Sequence, residues 1–269
     1  MKIAHETNPF NGKRPERFIR IMQTNTGFVS PLNPYGLDED GLERKNPLVV
    51  ALGDSVTAGH FEFTIPIEEL MAGFKNNPFD PSNPVKPDLT HIEIVDARES
   101  YIEYFRLKLI EKFEKTSLSI INSGIAGDTI FGMRARLKRD VIRYQPDLVL
   151  INGSLNWNNA FGNKGKYKDE LRSVIKEVKN DTLADIILLT PNMMCDNPLA
   201  GGQITILPEL VDAIRELATE EDSCLADTYA IWEEYVHKGF PLSAVLANGI
   251  NHPSVIGHEV YAISLMKLI

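Results

Sequence analysis

Four short segments carry residue types and spacings that suit nucleophilic chemistry on a carbonyl. The first, Gly53-Asp54-Ser55-Val56-Thr57-Ala58-Gly59, follows directly on an apolar run. Its opening glycine permits a sharp turn, and a serine on such a turn sits near a helix N-terminus, whose free N–H groups favour developing negative charge. Ser55 can there be an exposed nucleophile, or Asp54 and Ser55 can simply cap a helix. The second segment, Asn122-Ser123-Gly124-Ile125-Ala126-Gly127-Asp128-Thr129, has two glycines that let backbone N–H groups approach a ligand oxygen. The Gly-x-Gly-x-x-Gly and Walker spacings of nucleotide loops are both missing from it. In the third, Asn152-Gly153-Ser154-Leu155-Asn156-Trp157-Asn158-Asn159, an asparagine amide can donate to an oxyanion, a contribution of about 2.7–4 kcal/mol. Any of its asparagines can equally close an Asx turn. The fourth, Asn248-Gly249-Ile250-Asn251-His252-Pro253, sets a histidine on a loop restricted by the following proline. An imidazole with an ordinary pKa of about 6.5 suits a general base.

These segments need elements to hold them. Short β-rich apolar runs at 48–52, 118–122, 148–151, 185–190 and 223–226 read as buried strands. Helical spacing lies between and after them, at 100–115, 129–144, 166–179, 208–219, 229–238 and 255–268. Strands alternating with helices predict an α/β fold, a parallel sheet with helices on both faces and its ligand crevice at the carboxyl ends of the strands. Each of the first three segments follows such a strand, and the fourth precedes the last helix.

Residues 1–46 read as an irregular extension packed on the domain, with one short strand near residues 17–23, and residues 47–269 as the domain itself. Prolines at 78, 81, 84 and 87 make residues 76–87 an inserted surface loop. Both additions are expected to shape the site.

The 269 residues allow one large domain, and with 43% hydrophobic and 24% charged residues a sizeable core is possible. No apolar run approaches the roughly 20 residues of a membrane-spanning helix. The net charge of −9 has the wrong sign for neutralising phosphates, so nucleic acid is not an expected partner. Cys195 and Cys224 lie in no ligand cluster and read as free thiols. The N-terminus lacks an apolar h-region, so a cytoplasmic location is expected, with no membrane association.

Taken together, the four segments resemble the SGNH (GDSL-type) hydrolase superfamily, which carries a serine, a glycine, an asparagine and a histidine in four ordered blocks. The resemblance runs from about residue 48 to the C-terminus, and Leu48-Val49-Val50-Ala51-Leu52-Gly53-Asp54-Ser55 is its most specific part. It implies a three-layer α/β/α sandwich with a flavodoxin-like sheet, and no metal or organic cofactor. It implies Ser55 as nucleophile, Gly127 as backbone donor and Asn156 as side-chain donor to the oxyanion, and His252 as base, with Asp54, Asn248 and Asn251 in support. It also implies an esterase acting on a small-molecule ester.

Two departures stand out. The usual Gly-x-Asn-Asp third block reads Ser154-Leu155-Asn156-Trp157, in the register that keeps the asparagine. The aspartate usual three residues before the histidine is Gly249, with Asn248 beside it. His252 is then expected to work in a dyad, its second ring nitrogen oriented by a backbone carbonyl or an asparagine oxygen in preference to Asp227. The polar third block points to a small acyl group such as acetyl on a polar or carbohydrate alcohol. Longer acyl chains, as in a lysophospholipase or thioesterase, and a degenerate ligand-binding member are the alternatives. Trp157 and Trp232 are expected in the core rather than as sugar platforms.

Overall fold

A computed structural model describes residues 12–24, 46–66, 69, 92–114, 117–196 and 203–269. The proline-rich stretch 76–87 and most of the N-terminal extension lie outside the described residues.

The elements in chain order are α1 (Glu16–Thr24), β1 (Leu48–Gly53), α2 (Ser55–Ala58), β2 (His60–Phe63), β3 (Glu93–Val95), α3 (Tyr101–Phe113), β4 (Ser119–Gly124) and α4 (Ile130–Asp140). They continue with β5 (Leu148–Asn152), α5 (Lys164–Asp181), β6 (Asp185–Leu189), α6 (Gln203–Glu220), β7 (Cys224–Ala226), α7 (Thr228–His237) and α8 (Val255–Met266). Five strands form a parallel sheet in the order β4-β1-β5-β6-β7, while β2 and β3 pair as a separate antiparallel hairpin.

Alternation along the strands builds a core on each face of the sheet. Val49, Ala51, Leu148, Leu150, Ile187 and Leu189 point to one side and pack with Phe105 and Leu109 of α3 and Tyr261 and Leu265 of α8. Their neighbours Val50, Leu52, Val149, Ile151, Ile186 and Leu188 point to the other and meet Met133 of α4, Val174 of α5 and Leu210 of α6. The result is the expected three-layer α/β/α sandwich. Among the described residues, no helix is long and apolar enough to cross a membrane.

One expected element is wrong in kind. Residues 17–23, expected as a strand, lie in helix α1, because the buried Phe18, Ile19, Ile21 and Met22 recur at i, i+1, i+3 and i+4 and cover one helical face. The Phe18 N–H donates to Asp185 Oδ2 at 2.8 Å and Arg17 pairs with Asp147 at 3.2 Å. Those carboxylates stand at the amino ends of β6 and β5, so α1 braces the sheet edge opposite the four chemical segments and does not shape the site. Several boundaries also differ, among them the end of α4, at Asp140 rather than residue 144. Helix α5 starts at Lys164 because Asn163 caps it, its Oδ1 accepting from the Lys166 N–H, and α6 starts at Gln203 with Pro208 inside it.

Candidate active site

The strands bearing the first three segments end level: Gly53 is in register with Gly124 on one side and Asn152 on the other. Three loops therefore leave the carboxyl edge of the sheet side by side. Ser55 starts the short helix α2, whose N-cap is Asp54, with Asp54 Oδ1 accepting from the Val56 N–H at 3.0 Å. Asp54 thus does cap a helix, and Ser55 remains available.

Across from it, His252 Nε2 lies 3.0 Å from Ser55 Oγ. Its other ring nitrogen, Nδ1, lies 3.1 Å from the Phe61 carbonyl oxygen. A carbonyl can only accept, so Nδ1 carries the proton and Nε2 is left to accept from the serine hydroxyl. The expected backbone-carbonyl orienter is therefore Phe61. Asp227 is engaged elsewhere, accepting from Thr190 Oγ1 at 2.9 Å and pairing with Arg215 at 2.7 Å.

The loop that presents His252 is tied down by asparagines. Asn248 Oδ1 accepts from the N–H groups of Ile250, Asn251 and His252, each at 2.9 Å, while its Nδ2 donates to Asn251 Oδ1 at 3.0 Å. Asn192 Nδ2 adds a bond to the Asn251 carbonyl at 2.8 Å. Asn248 and Asn251 hold the backbone beneath the imidazole and make no bond to its ring.

Gly127 stands at φ +73° in a turn closed by the Asp128 N–H and the Ile125 carbonyl, with open space where a Cβ would be. Among the described residues, neither its N–H nor that of Ser55 has a protein acceptor. Asn156 Nδ2 donates to the Asp128 carbonyl at 3.0 Å, which fixes the side chain and leaves its second N–H. A buried residue absent from the sequence reading, Arg136, clamps these loops together. It donates to the Gly53 carbonyl at 2.9 Å, the Ser123 carbonyl at 2.8 Å and the Asp128 carboxylate at 2.7 Å. Its signal was weak, since a lone arginine on a helix normally reads as a solvated charge.

Burial sets the electrostatics. Asp54 is fully enclosed and its carboxyl is pushed up to about 7, chiefly by desolvation; Oδ2 has no partner among the described residues. Burial pulls His252 below its ordinary value, which keeps the imidazole neutral and able to accept a proton. His258, stacked on Tyr101 and accepting from the Tyr101 N–H at 3.2 Å, is lowered to about 3 by burial.

Glu93, which is not among the residues expected from the sequence, also faces the imidazole. Its Oε1 lies 3.5 Å from His252 Nδ1, and its Oε2 is 2.5 Å from His60 Nδ1. The available signal was the alternation Ile92-Glu93-Ile94-Val95, an acid among β-formers just beyond the proline-rich stretch. Trp157 and Trp232 are buried in the core as expected, and the two cysteines are free. Among the described residues no group of three or more His, Cys, Asp or Glu is placed to hold a metal ion.

The model of the GDSL-like Lipase/Acylhydrolase family matches residues 51–260. An acetylxylan esterase from Geobacillus stearothermophilus is 30% identical over 177 residues, covering 62% of this chain and 79% of that protein. The crystal structure of Axe2, an acetylxylan esterase from the same organism, superposes with a TM-score of 0.58 at 23% identity over 83% of this chain and 94% of that one. A Parabacteroides merdae structure described as a GDSL-like lipase gives a TM-score of 0.62 at 20% identity over 83% and 95% of the two chains. With the family match spanning most of the sheet and all four segments, the chain belongs to the GDSL-like lipase/acylhydrolase family and is a carboxylic ester hydrolase.

Proposed function

We propose that this hydrolase works through a serine acyl-enzyme and removes a short acyl group, acetyl above all, from a polar or carbohydrate alcohol. The reading rests on one observation, the imidazole of His252 seated between Ser55 Oγ at 3.0 Å and the Phe61 carbonyl at 3.1 Å. As Ser55 Oγ bonds to the ester carbon, its proton passes to His252 Nε2 and the carbonyl electron pair moves to oxygen. The N–H groups of Ser55 and Gly127 and the free N–H of Asn156 are the donors available to that oxyanion. His252 then returns the proton to the departing alcohol, and water resolves the acyl-enzyme by the same steps. The acetyl preference is supported by the similarity to an acetylxylan esterase and by the polar asparagines around Asn156.

Hydrolysis of p-nitrophenyl acetate by wild type and Ser55→Ala tests the mechanism. Loss of at least about 10³-fold in kcat is expected, with stoichiometric fluorophosphonate labelling of wild type only. Equal rates for the two proteins would overturn it. Acetylated xylo-oligosaccharides assayed against long-chain acyl esters test the substrate class, and a marked preference for the long chains contradicts it.

A further inference from the structure

In a serine triad the carboxylate does two jobs: it holds the imidazole in the productive tautomer, and it stabilises the imidazolium that forms as the serine attacks. Here the residue three before His252 is Gly249, which can do neither. The first job is filled by the Phe61 carbonyl, a neutral acceptor. A carboxylate stands close to the same nitrogen without hydrogen-bonding to it, since Glu93 Oε1 is 3.5 Å from Nδ1, with both side chains largely buried. We propose that Glu93, carried by the β2–β3 hairpin and held by His60, is the positioning carboxylate that balances the charge formed on His252 during acyl transfer. This rests on the serine acyl-enzyme reading above.

The arrangement follows from how the hairpin is anchored. His60 opens β2 immediately after α2, so the residue that grips Glu93 is only five positions from Ser55. Glu93 opens β3 opposite Phe63, and hydrogen bonds flank the pair, from the Asp96 N–H to the Gly59 carbonyl at 2.9 Å and from the Thr64 N–H to the Ile92 carbonyl at 2.8 Å. Gly59 makes this approach possible. It sits at φ +92°, and a Cβ there would fall 2.7 Å from the Asp96 carbonyl oxygen. With its backbone fixed, the carboxylate turns Oε2 to His60 Nδ1 and Oε1 to His252 Nδ1.

In the resting enzyme the single Nδ1 proton is satisfied by the nearer carbonyl. Once Nε2 takes the serine proton, the ring carries a full positive charge in a buried site, and a carboxylate at 3.5 Å then becomes worth far more than a carbonyl dipole. Glu93 accepts no proton in this step; the proton stays on His252 until the alcohol leaves. The titratable groups around His252 are Glu93 and His60 from the hairpin and His258 from α8, with Asp54 behind Ser55 within reach of the charge of His60. Of these, Glu93 is the one whose charge favours the imidazolium; His60 opposes it, and His258 is held neutral by burial.

The test compares Glu93→Gln and Glu93→Asp with wild type and Ser55→Ala, using kcat and KM for p-nitrophenyl acetate across pH, with folding checked by circular dichroism. Glu93→Gln is expected to lose about 10²–10³-fold in kcat with KM within about threefold. The acid limb of kcat/KM, which reports protonation of His252, should move to lower pH by about one unit, because the imidazolium has lost its counter-charge. Glu93→Asp, which keeps the charge, should restore the limb most of the way and recover part of kcat. A purely structural glutamate would not move the limb. Wild-type kcat and limb in Glu93→Gln overturn the assignment, as does a Glu93→Asp enzyme no better than Glu93→Gln in both readouts. Should Glu93→Gln not fold, NMR titration of His252 in Glu93→Met, which fills similar space without a charge, takes its place. Removing the carboxylate must lower the midpoint, and an unchanged midpoint overturns the proposal. Failure of the parent reading looks different, for then Ser55→Ala itself retains wild-type activity.

Discussion

Asn156 is held in place before any substrate arrives. One of its two amide hydrogens is committed to the Asp128 carbonyl at 3.0 Å, so the side chain cannot swing away and no ordering is required at the moment of reaction. Replacement by alanine is expected to cost about 10²–10³-fold in kcat with little change in KM, read from steady-state hydrolysis of p-nitrophenyl acetate. An unchanged kcat would remove Asn156 from the set of donors. At this scale the sequence was legible where a residue's own neighbours carry the signal. Ser55 follows a glycine turn out of an apolar strand, and His252 precedes a proline. Arg136 and Glu93 were not legible, because their partners lie far along the chain: Arg136 reaches the Gly53 carbonyl 83 residues away. No local pattern encodes such a meeting, and only the level strand ends of the folded sheet bring it about.

Among the elements, the hairpin of β2 and β3 matters most for the site and was hardest to foresee. Its strands have four and three residues, too short for alternation to stand out, and the stretch between them includes the proline-rich segment. Strands β1, β5 and β6 were legible because they are buried on both faces and so read as apolar runs, whereas β4, at the sheet edge, is half exposed. Helix α1 departs from the strand expected there because its nine residues pair apolar positions, Phe18-Ile19 and Ile21-Met22, which resemble a strand until the i, i+3, i+4 spacing is counted. Gly59 joins α2 to the hairpin, and Gly59→Ala combines a left-handed backbone with a contact at 2.7 Å. It is expected to lower stability by about 1–3 kcal/mol and, by displacing the hairpin, to lower kcat as well. Thermal unfolding and kinetics on the same preparation check this, and a variant with wild-type melting temperature and turnover contradicts it.

For the molecule as a whole, two buried groups pull stability in opposite directions with pH. Asp54 binds its proton more tightly folded, at about 7, than at its ordinary 3.8, so its contribution is complete below about pH 3.8 and is lost as pH rises through 7. His258 is lowered from 6.5 to about 3, so its contribution is present above pH 6.5 and is lost as pH falls toward 3. Asp54→Asn keeps the oxygen that caps α2 and removes the charge. Its stability relative to wild type is expected to rise by about 2–3 kcal/mol between pH 5 and pH 8, as measured by calorimetry. A gap that does not change with pH would show that Asp54 titrates normally in the folded protein.

The contact between Ser55 and His252 spans 197 residues, and its third neighbour, the Phe61 carbonyl, stands beside the serine in sequence rather than the histidine. Loop closure over such a distance is entropically among the last events open to a refolding chain, after β1 has found both β4 and β5. The seating of His252 beside Ser55 is therefore expected late in assembly: a chain with native secondary structure and a collapsed core, but with its final helix not yet docked, has no imidazole beside that hydroxyl.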